Sequence, residues 1–177
     1  SFPHELPGYR HVSDDGVRSL FEKAWNVTLD PEPGLRIPNM LNAAIEGTFR
    51  AQGAASWAYP SIVGSGPNTT TLHYPQDDRQ LQAGDLMLVD AAAAFQYEAS
   101  DITRTYPVNG PFSAAQRDVY ELVLHAQAEA IKVAKPGATL TTIHNRTVEV
   151  LKEGLLKLGL ITDTAVQQYA MWFTHGT

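Results

Sequence analysis

The sequence has no cysteine among its 177 residues. This absence excludes disulfides, thiolate zinc sites and thiol catalysis. Oxygen and imidazole groups are therefore the only strong metal ligands that the chain offers. Such ligands suit magnesium or manganese and, where histidine takes part, zinc or cobalt.

Basic residues are also scarce, with 13 Lys and Arg against 19 Asp and Glu and a formal net charge of −6. Without a basic stripe to follow a phosphate backbone, we expect no nucleic-acid partner. No apolar run approaches the roughly 20 residues that span a bilayer. The residues from Ser1 to Pro7 lack the charged and apolar regions of a signal peptide. We therefore expect no membrane partner and a cytoplasmic location.

The first part of the chain divides into two stretches. Residues 1–34 form a lead-in segment, in which only Val17 to Trp25 has a helical pattern. Between Leu35 and Gln52, apolar residues recur at intervals of three and four, which predicts an amphipathic helix. Pro38 would lie in the first turn of this helix, where its missing N–H does no harm.

Short β-prone runs follow, each bounded by turn residues, and they predict an antiparallel sheet. The predicted strands are Tyr59–Val63, Thr69–Tyr74, Leu86–Ala94, Phe95–Ala99 and Asp101–Val108.

Helical patterns occupy the remainder of the chain. Ser113 to Gln116 is a capping box that opens a helix ending before Pro136. A second helix is predicted from about Thr139 to Leu158, with Gly159 as its stop, and a short third helix from Asp163 to Tyr169. Strands followed by long helices indicate an α+β fold, with helices covering one face of a sheet.

Asp90 and Asp101 are the most informative pair in the sheet region. A hairpin that turns between Phe95 and Gln96 would place them directly opposite each other, with Cβ atoms roughly 4.5–5.5 Å apart. Like charges at that distance are destabilising and require a shared proton or a cation. A hard divalent metal would supply the cation. The alternative is an ordinary solvated hairpin, because aspartate is common at turns.

Three blocks of sequence resemble one enzyme family. They are Tyr59-Pro-Ser-Ile-Val-Gly-Ser-Gly66 with Leu72-His-Tyr74 behind it, Gly84-Asp-Leu-Met-Leu-Val-Asp-Ala91, and Ser100-Asp-Ile-Thr-Arg-Thr-Tyr-Pro-Val-Asn-Gly110. Together they resemble the pita-bread metallopeptidases, in the branch of aminopeptidase P and prolidase. The resemblance implies a curved antiparallel sheet covered by helices. Residues 35–177 would be the N-terminal portion of the catalytic domain, so that the fold is incomplete.

The resemblance also implies roles for individual residues. Asp90 matches the first metal-ligating aspartate, and Asp101 matches the second, which contacts both ions. His73 matches a histidine that contacts substrate and helps to move protons, and His175 matches a second active-site histidine. Thr103 lies two residues beyond Asp101 on the same strand face, where its hydroxyl could orient a carboxylate.

Alternative interpretations stay open for some of these residues. His73 could simply pack on Tyr74, and Thr103 is a common strand residue. His125 and His144 lie in predicted helices, where we expect them to be structural or exposed. His4 and His11, in the lead-in segment, are assigned no role.

The implied cofactor is a pair of divalent ions, manganese in the first place, with cobalt or zinc as alternatives. The family site uses five ligands, of which one histidine and two glutamates would lie beyond Thr177. We therefore expect the chain to be a fragment; a natural relative that no longer catalyses is the alternative. Asp90-Ala91-Ala92 replaces the family's Asp-Ala-Gly, and Glu98 stands where an aromatic residue is more usual.

The expected function is that of a metal-dependent exopeptidase that hydrolyses a peptide bond next to proline. The expected substrate is a proline-containing peptide, and the expected assembly is a homodimer. The sequence does not separate prolidase from aminopeptidase P. The alternative function is a metal-free or inactive module that binds a peptide or a partner protein. A metal-free hydrolase of the creatinase kind is disfavoured, because such relatives tend to lose the two aspartates.

Overall fold

The computed structural model describes residues 38–162. They fall into two compact units that meet in the chain between Gly110 and Pro111. The lead-in segment, the predicted helix Asp163 to Tyr169, and His175 lie outside the described residues. None of the described helices has the length and apolar character needed to cross a membrane.

The first unit opens with helix α1, Pro38–Ala51. Asn39 N–H donates to the Asp77 carbonyl outside the helix (2.9 Å), which agrees with the predicted place of Pro38 in the first turn. Leu41 is buried on the helix and shares a core with sheet residues, and Ala44, Ile45 and Phe49 pack against the same core. The apolar residues that recur at intervals of three and four thus form the face of α1 that packs against the sheet.

Six short strands follow, all paired antiparallel. They are β1 Ser56–Trp57, β2 Ile62–Ser65, β3 Leu86–Asp90, β4 Ala93–Phe95, β5 Glu98–Ala99 and β6 Thr103–Pro107. They form two three-stranded sheets of matching order, β1-β4-β5 and β2-β3-β6. The same three chain segments run through both sheets, and hydrogen bonds from Ala58 N–H to the Ala92 carbonyl (2.8 Å) and from Ala91 N–H to the Ile102 carbonyl (3.1 Å) continue the pairing between them.

One face of the sheet β2-β3-β6 carries the core. Val63, Met87 and Val89 are buried there in the cluster that includes Leu41 of α1. Because side chains alternate along a strand, Leu88 and Asp90 lie on the opposite face. The aspartates of interest therefore lie on the face away from α1.

The predicted strand from Thr69 to Tyr74 is wrong. A 3₁₀ helix, Gly66–Thr70, stands in its place and leads into an irregular segment that reaches β3. The Thr69 hydroxyl donates to the Gly66 carbonyl (2.8 Å), and the Thr70 hydroxyl donates to the Pro67 carbonyl (2.9 Å). Such local side-chain bonds to the backbone compete with strand pairing.

The register of the β3–β6 hairpin also differs from the prediction. Asp90 pairs with Thr103, and Phe95 pairs with Glu98, so that the turn is centred on Gln96 and Tyr97. The predicted direct pairing of Asp90 with Asp101 is therefore wrong by two positions. An even offset keeps both aspartates on one face, whereas an offset of one residue would have separated them.

Gln96 and Tyr97 adopt φ values of 49° and 68°. Two such residues in a two-residue hairpin loop are typical of a type I′ turn, which normally uses asparagine and glycine because φ is positive. Tyr97 is fully exposed, so its side chain gains little from packing. The turn that sets the aspartate register is therefore conformationally unfavourable.

Replacing Tyr97 with glycine should stabilise the protein. The left-handed conformation costs a non-glycine residue roughly 1–2 kcal/mol, and the greater freedom of glycine in the unfolded chain offsets about 0.4–1 kcal/mol of that gain. We expect Tyr97→Gly to raise the free energy of unfolding by about 1 kcal/mol in a urea titration. Tyr97→Ala, which removes the ring and keeps the strained turn, is the matched control. Equal stabilities of the two variants would contradict the prediction.

The second unit is a pair of helices, α2 Ala114–Val133 and α3 Leu140–Lys157. The predicted capping box is confirmed: Gln116 N–H donates to Ser113 Oγ (3.2 Å), and Ser113 N–H donates to Gln116 Oε1 (2.9 Å). Gly159 follows the end of α3 with a φ of 68°, as a helix-stop glycine does. His125 and His144, which we expected to be structural or exposed, are both exposed.

Apolar and ionic contacts join the two helices. Ala126, Val150 and Leu151 are buried together, with Leu122 packed against them. Glu129 of α2 accepts from Lys132 Nζ (2.5 Å) and from Arg146 Nη2 of α3 (2.6 Å). Hydrogen bonds from Lys132 and then from Arg146 lower the pKa of Glu129 to about 2.

This ion pair predicts a pH dependence of stability. A carboxylate with a lowered pKa in the folded state contributes stability above its unfolded pKa, near 4.5, and loses it as the pH falls toward 2. We expect the melting temperature of the protein to exceed that of Glu129→Gln above pH 4.5, and the gap to narrow toward pH 2. At neutral pH, Glu129→Gln should lower the melting temperature less in an Arg146→Gln background than in the unaltered protein. A gap that does not change with pH would refute the assignment.

Candidate metal centre

Strand pairing positions the two aspartates. Asp90 is the last residue of β3, and Asp101 lies two residues before β6. Asp90 pairs with Thr103, so Asp101 is its diagonal neighbour on the same face of the hairpin. The structure thus brings both carboxylates to one side of the sheet. Thr103 lies directly opposite Asp90 and two residues beyond Asp101.

Both carboxylates converge on a single atom, the hydroxyl oxygen of Tyr59. This hydroxyl donates to Oδ1 of Asp101 at 3.0 Å and also forms a short hydrogen bond to Oδ1 of Asp90. Two acidic groups that can reach one oxygen can also reach one cation. This convergence is the geometric feature that distinguishes the pair from a solvated hairpin.

A break in strand pairing brings Tyr59 to this position. Trp57 pairs with Ala93, whereas Ile62 pairs with Asp90. Because Ala58 N–H still donates to the Ala92 carbonyl, residues 59–61 stand opposite Ala91 alone. Such an irregular bulge redirects side chains, and Pro60, which has no N–H for the ladder, is tolerated there.

The environment keeps Tyr59 protonated. Burial is the largest cause of the raised pKa of Tyr59, followed by the hydrogen bond and charge of Asp90 and then those of Asp101. A phenol held in its neutral form is a hydrogen-bond donor. Tyr59 therefore reduces the repulsion between the two carboxylates. The sequence had predicted a shared proton or a cation for this purpose, and not a tyrosine hydroxyl.

Sequence reasoning placed Tyr59 in a predicted strand and gave it no role. The signal that could have identified it is the Tyr-Pro dipeptide inside a β-prone run, since proline within a sheet marks an edge or a bulge.

The donors fit a hard divalent ion only in part. Carboxylate oxygens are the ligands that manganese and magnesium prefer, but such ions take about six ligands. Within residues 38–162, no group of three or more acidic or histidine side chains could hold a metal. Among the described residues, Asp90 and Asp101 thus offer two carboxylates on one face, which is fewer ligands than such an ion takes.

The histidines predicted from the sequence have different outcomes. His73 lies on the irregular segment between the 3₁₀ helix and β3, exposed and with a φ of 51°. His175 lies outside the described residues. Glu98, the departure noted from the sequence, is exposed on β5 and pairs with Phe95.

Residues 17–177 match the sequence profile of metallopeptidase family M24, and the chain belongs to this family. It is 40% identical over 148 residues to a Xaa-Pro aminopeptidase of Haemophilus influenzae, a match that covers 78% of this chain and 34% of that protein. It is 33% identical over 159 residues to the mitochondrial intermediate cleaving peptidase 55 of Arabidopsis thaliana, which covers 90% of this chain and 31% of that protein.

Solved structures agree with this assignment. Aminopeptidase PepP of Pseudomonas aeruginosa superposes with a TM-score of 0.72 at 39% identity, covering 86% of this chain and 34% of that one. A variant of Escherichia coli aminopeptidase P in complex with substrate gives a TM-score of 0.70 at 32% identity, over 86% and 36% of the two chains. The predicted α+β pita-bread fold is confirmed. The chain spans about a third of the length of these relatives.

Removing the Tyr59 hydroxyl should destabilise the metal-free protein. In Tyr59→Phe both carboxylates lose a donor while their repulsion remains. Hydrogen bonds to charged groups contribute about 1.5–3 kcal/mol, and the exposure of Asp101 reduces this, so we expect a loss of about 1–2 kcal/mol in urea unfolding with chelator present.

Tyr74→Phe is the matched control. The Tyr74 hydroxyl also donates to an aspartate, Asp78, but does so at an exposed site and forms no hydrogen bond to a second carboxylate among the described residues. Its removal should cost clearly less stability than removal of the Tyr59 hydroxyl, because solvent screens an exposed hydrogen bond. Equal losses in the two variants would show that Tyr59 has no special relation to the aspartate pair.

Proposed function

We propose that this chain is part of a metal-dependent Xaa-Pro aminopeptidase, which removes the first residue of a peptide when proline follows. The observation that carries the proposal is the convergence of Asp90 and Asp101 on one oxygen atom. Family membership supports it, and so do the relatives named as Xaa-Pro aminopeptidases, which favour aminopeptidase P over prolidase.

Asp90 and Asp101 would hold the divalent metal, and manganese is the ion we propose first, because the described donors are hard oxygens. A divalent ion in such a site supplies Lewis-acid chemistry and makes a water molecule more acidic. The remaining ligands would come from residues outside the described part. Tyr59 would keep the two carboxylates oriented, and the Thr103 hydroxyl, paired across from Asp90, would do the same from β6.

The two histidines would act on the substrate. His73 and His175 would hold the carbonyl of the scissile bond or deliver a proton to the leaving proline nitrogen. This assignment rests on the family resemblance and on the type of residue, since imidazole can gain or lose a proton near neutral pH. A homodimeric assembly and a cytoplasmic location stay predictions.

Metal binding tests the role of the aspartates directly. Manganese titration by calorimetry should show at least about tenfold weaker binding in Asp90→Asn and Asp101→Asn, since each change removes a charged ligand from the site. Asp118→Asn, at an exposed position of α2, is the matched control and should bind as the unaltered protein does.

Hydrolysis of peptides that begin Xaa-Pro tests the reaction. In a longer form of the protein that supplies the remaining ligands, we expect manganese-dependent cleavage that chelator and Asp101→Asn both abolish. Cleavage that survives both treatments would refute a metal mechanism. We expect little activity from the 177-residue chain alone, because the other family ligands would lie beyond Thr177. Absence of both metal binding and cleavage in the longer form would favour the alternative of a metal-free binding module.

A further inference from the structure

Asp77 is a buried acidic residue with no part in the proposed metal centre. It is only 4% exposed, although aspartate is rarely buried unless it is well paired. Burial is the main cause of the raised pKa of its carboxyl group. A carboxylate kept in such a place at an energetic cost needs a structural or functional explanation.

The hydrogen bonds of Asp77 join three parts of the first unit. Its Oδ1 accepts from the backbone N–H of Val63 in β2 at 2.9 Å, and its Oδ2 accepts from Asn42 Nδ2 in α1 at 2.9 Å. Its backbone carbonyl accepts from Asn39 N–H at 2.9 Å, which satisfies a donor in the first turn of α1. Asp77 thus fixes one point of the irregular segment against both the helix and the sheet.

The irregular segment that Asp77 fixes also contains His73, four residues before Asp77 in the sequence. Both residues have left-handed backbone conformations, with φ values of 51° at His73 and 47° at Asp77. Such conformations are uncommon outside glycine and persist where the surroundings fix them. The bonds of Asp77 provide that constraint at one end of the stretch from His73 to Asp77.

A second anchor holds the segment further along the chain. Arg79 donates to Ser65 Oγ at 3.3 Å and is paired with Asp85, and the Ser65 hydroxyl donates to the Arg79 carbonyl at 3.2 Å. His73 lies on the side of Asp77 away from this anchor. The placement of His73 therefore depends on Asp77 more than on Arg79.

We propose that Asp77 is a positioning residue that fixes the His73 segment against β2, the strand paired with the Asp90 strand. Hydrogen-bond geometry, and not the negative charge, provides this constraint. The functional consequence, correct presentation of His73 to a substrate, rests on the proposed function. The placement of the segment itself does not.

Asp77→Asn and Asp77→Ala separate geometry from charge. In Asp77→Asn, the new amide oxygen can still accept from Val63 N–H, and the new amide NH₂ can donate to Asn42 Oδ1. That oxygen is buried and has no hydrogen-bond partner in the described part of the chain. A rotation of the Asn42 amide would turn it toward the new amide and give up only the long bond from Asn42 Nδ2 to the Ser61 carbonyl (3.4 Å). Asp77→Ala removes both side-chain bonds. Gln76→Ala, next to it in the same segment and exposed, is the matched control.

Hydrogen exchange and histidine NMR of the unliganded 177-residue chain provide the test. We expect Asp77→Ala to speed amide exchange in residues 71–80 at least about tenfold, as local opening becomes easier, and to shift the His73 imidazole signals, which His73→Gln identifies. Asp77→Asn and Gln76→Ala should resemble the unaltered protein. Unchanged exchange and His73 signals in Asp77→Ala would overturn the proposal, and so would an Asp77→Asn variant as altered as Asp77→Ala.

Two further measurements keep the result interpretable. If Asp77→Ala does not fold, Asn42→Ala removes one of the two side-chain bonds and should change the same signals to a smaller extent; no change would overturn the proposal. Manganese affinity should be equal in the unaltered protein and Asp77→Asn. If the protein proves active, Asp77→Ala should raise KM or lower kcat, with recovery in Asp77→Asn. Failure to cleave any peptide would count against the proposed function alone, because exchange and NMR need no activity.

Discussion

Repulsion between the carboxylates of Asp90 and Asp101 is the constraint on which the arrangement of the first unit depends. The hairpin register holds both charges on one face, and that register is set by a turn whose residues adopt an unfavourable backbone conformation. The Tyr59 hydroxyl lies within hydrogen-bond distance of both groups, which share its one proton. The neighbouring structure positions this donor.

The bulge at residues 59–61 follows from the same requirement. A regular strand would have continued the pairing of β1 into that of β2 and kept Tyr59 in the ladder. The irregular pairing, with Pro60 at its centre, instead directs the phenol toward the aspartates. Asp77 has a comparable role in the adjoining segment, where a buried polar group joins helix and strand and limits the conformations open to His73.

Much of the fold was predictable because it depends on local chemistry. The capping box at Ser113 and the stop at Gly159 are each determined by a few neighbouring residues. The strand predicted at Thr69 to Tyr74 was wrong because the threonine hydroxyls bond to nearby carbonyls, a competition that β propensity does not measure. The register was wrong by two positions because Gln96 and Tyr97 carry no sequence signal for the turn that they form.

The sequence by itself determined the family and the α+β class, and it singled out Asp90 and Asp101 as the pair of interest. These conclusions follow from residue types and spacings along the chain. Only the tertiary structure showed that Asp90 faces Thr103, that Tyr59 joins the two carboxylates and that Asp77 ties three elements together. These contacts join residues 13 to 42 positions apart. Their existence depends on a bulge and a strained turn, which arise when backbone pairing and side-chain burial are satisfied together.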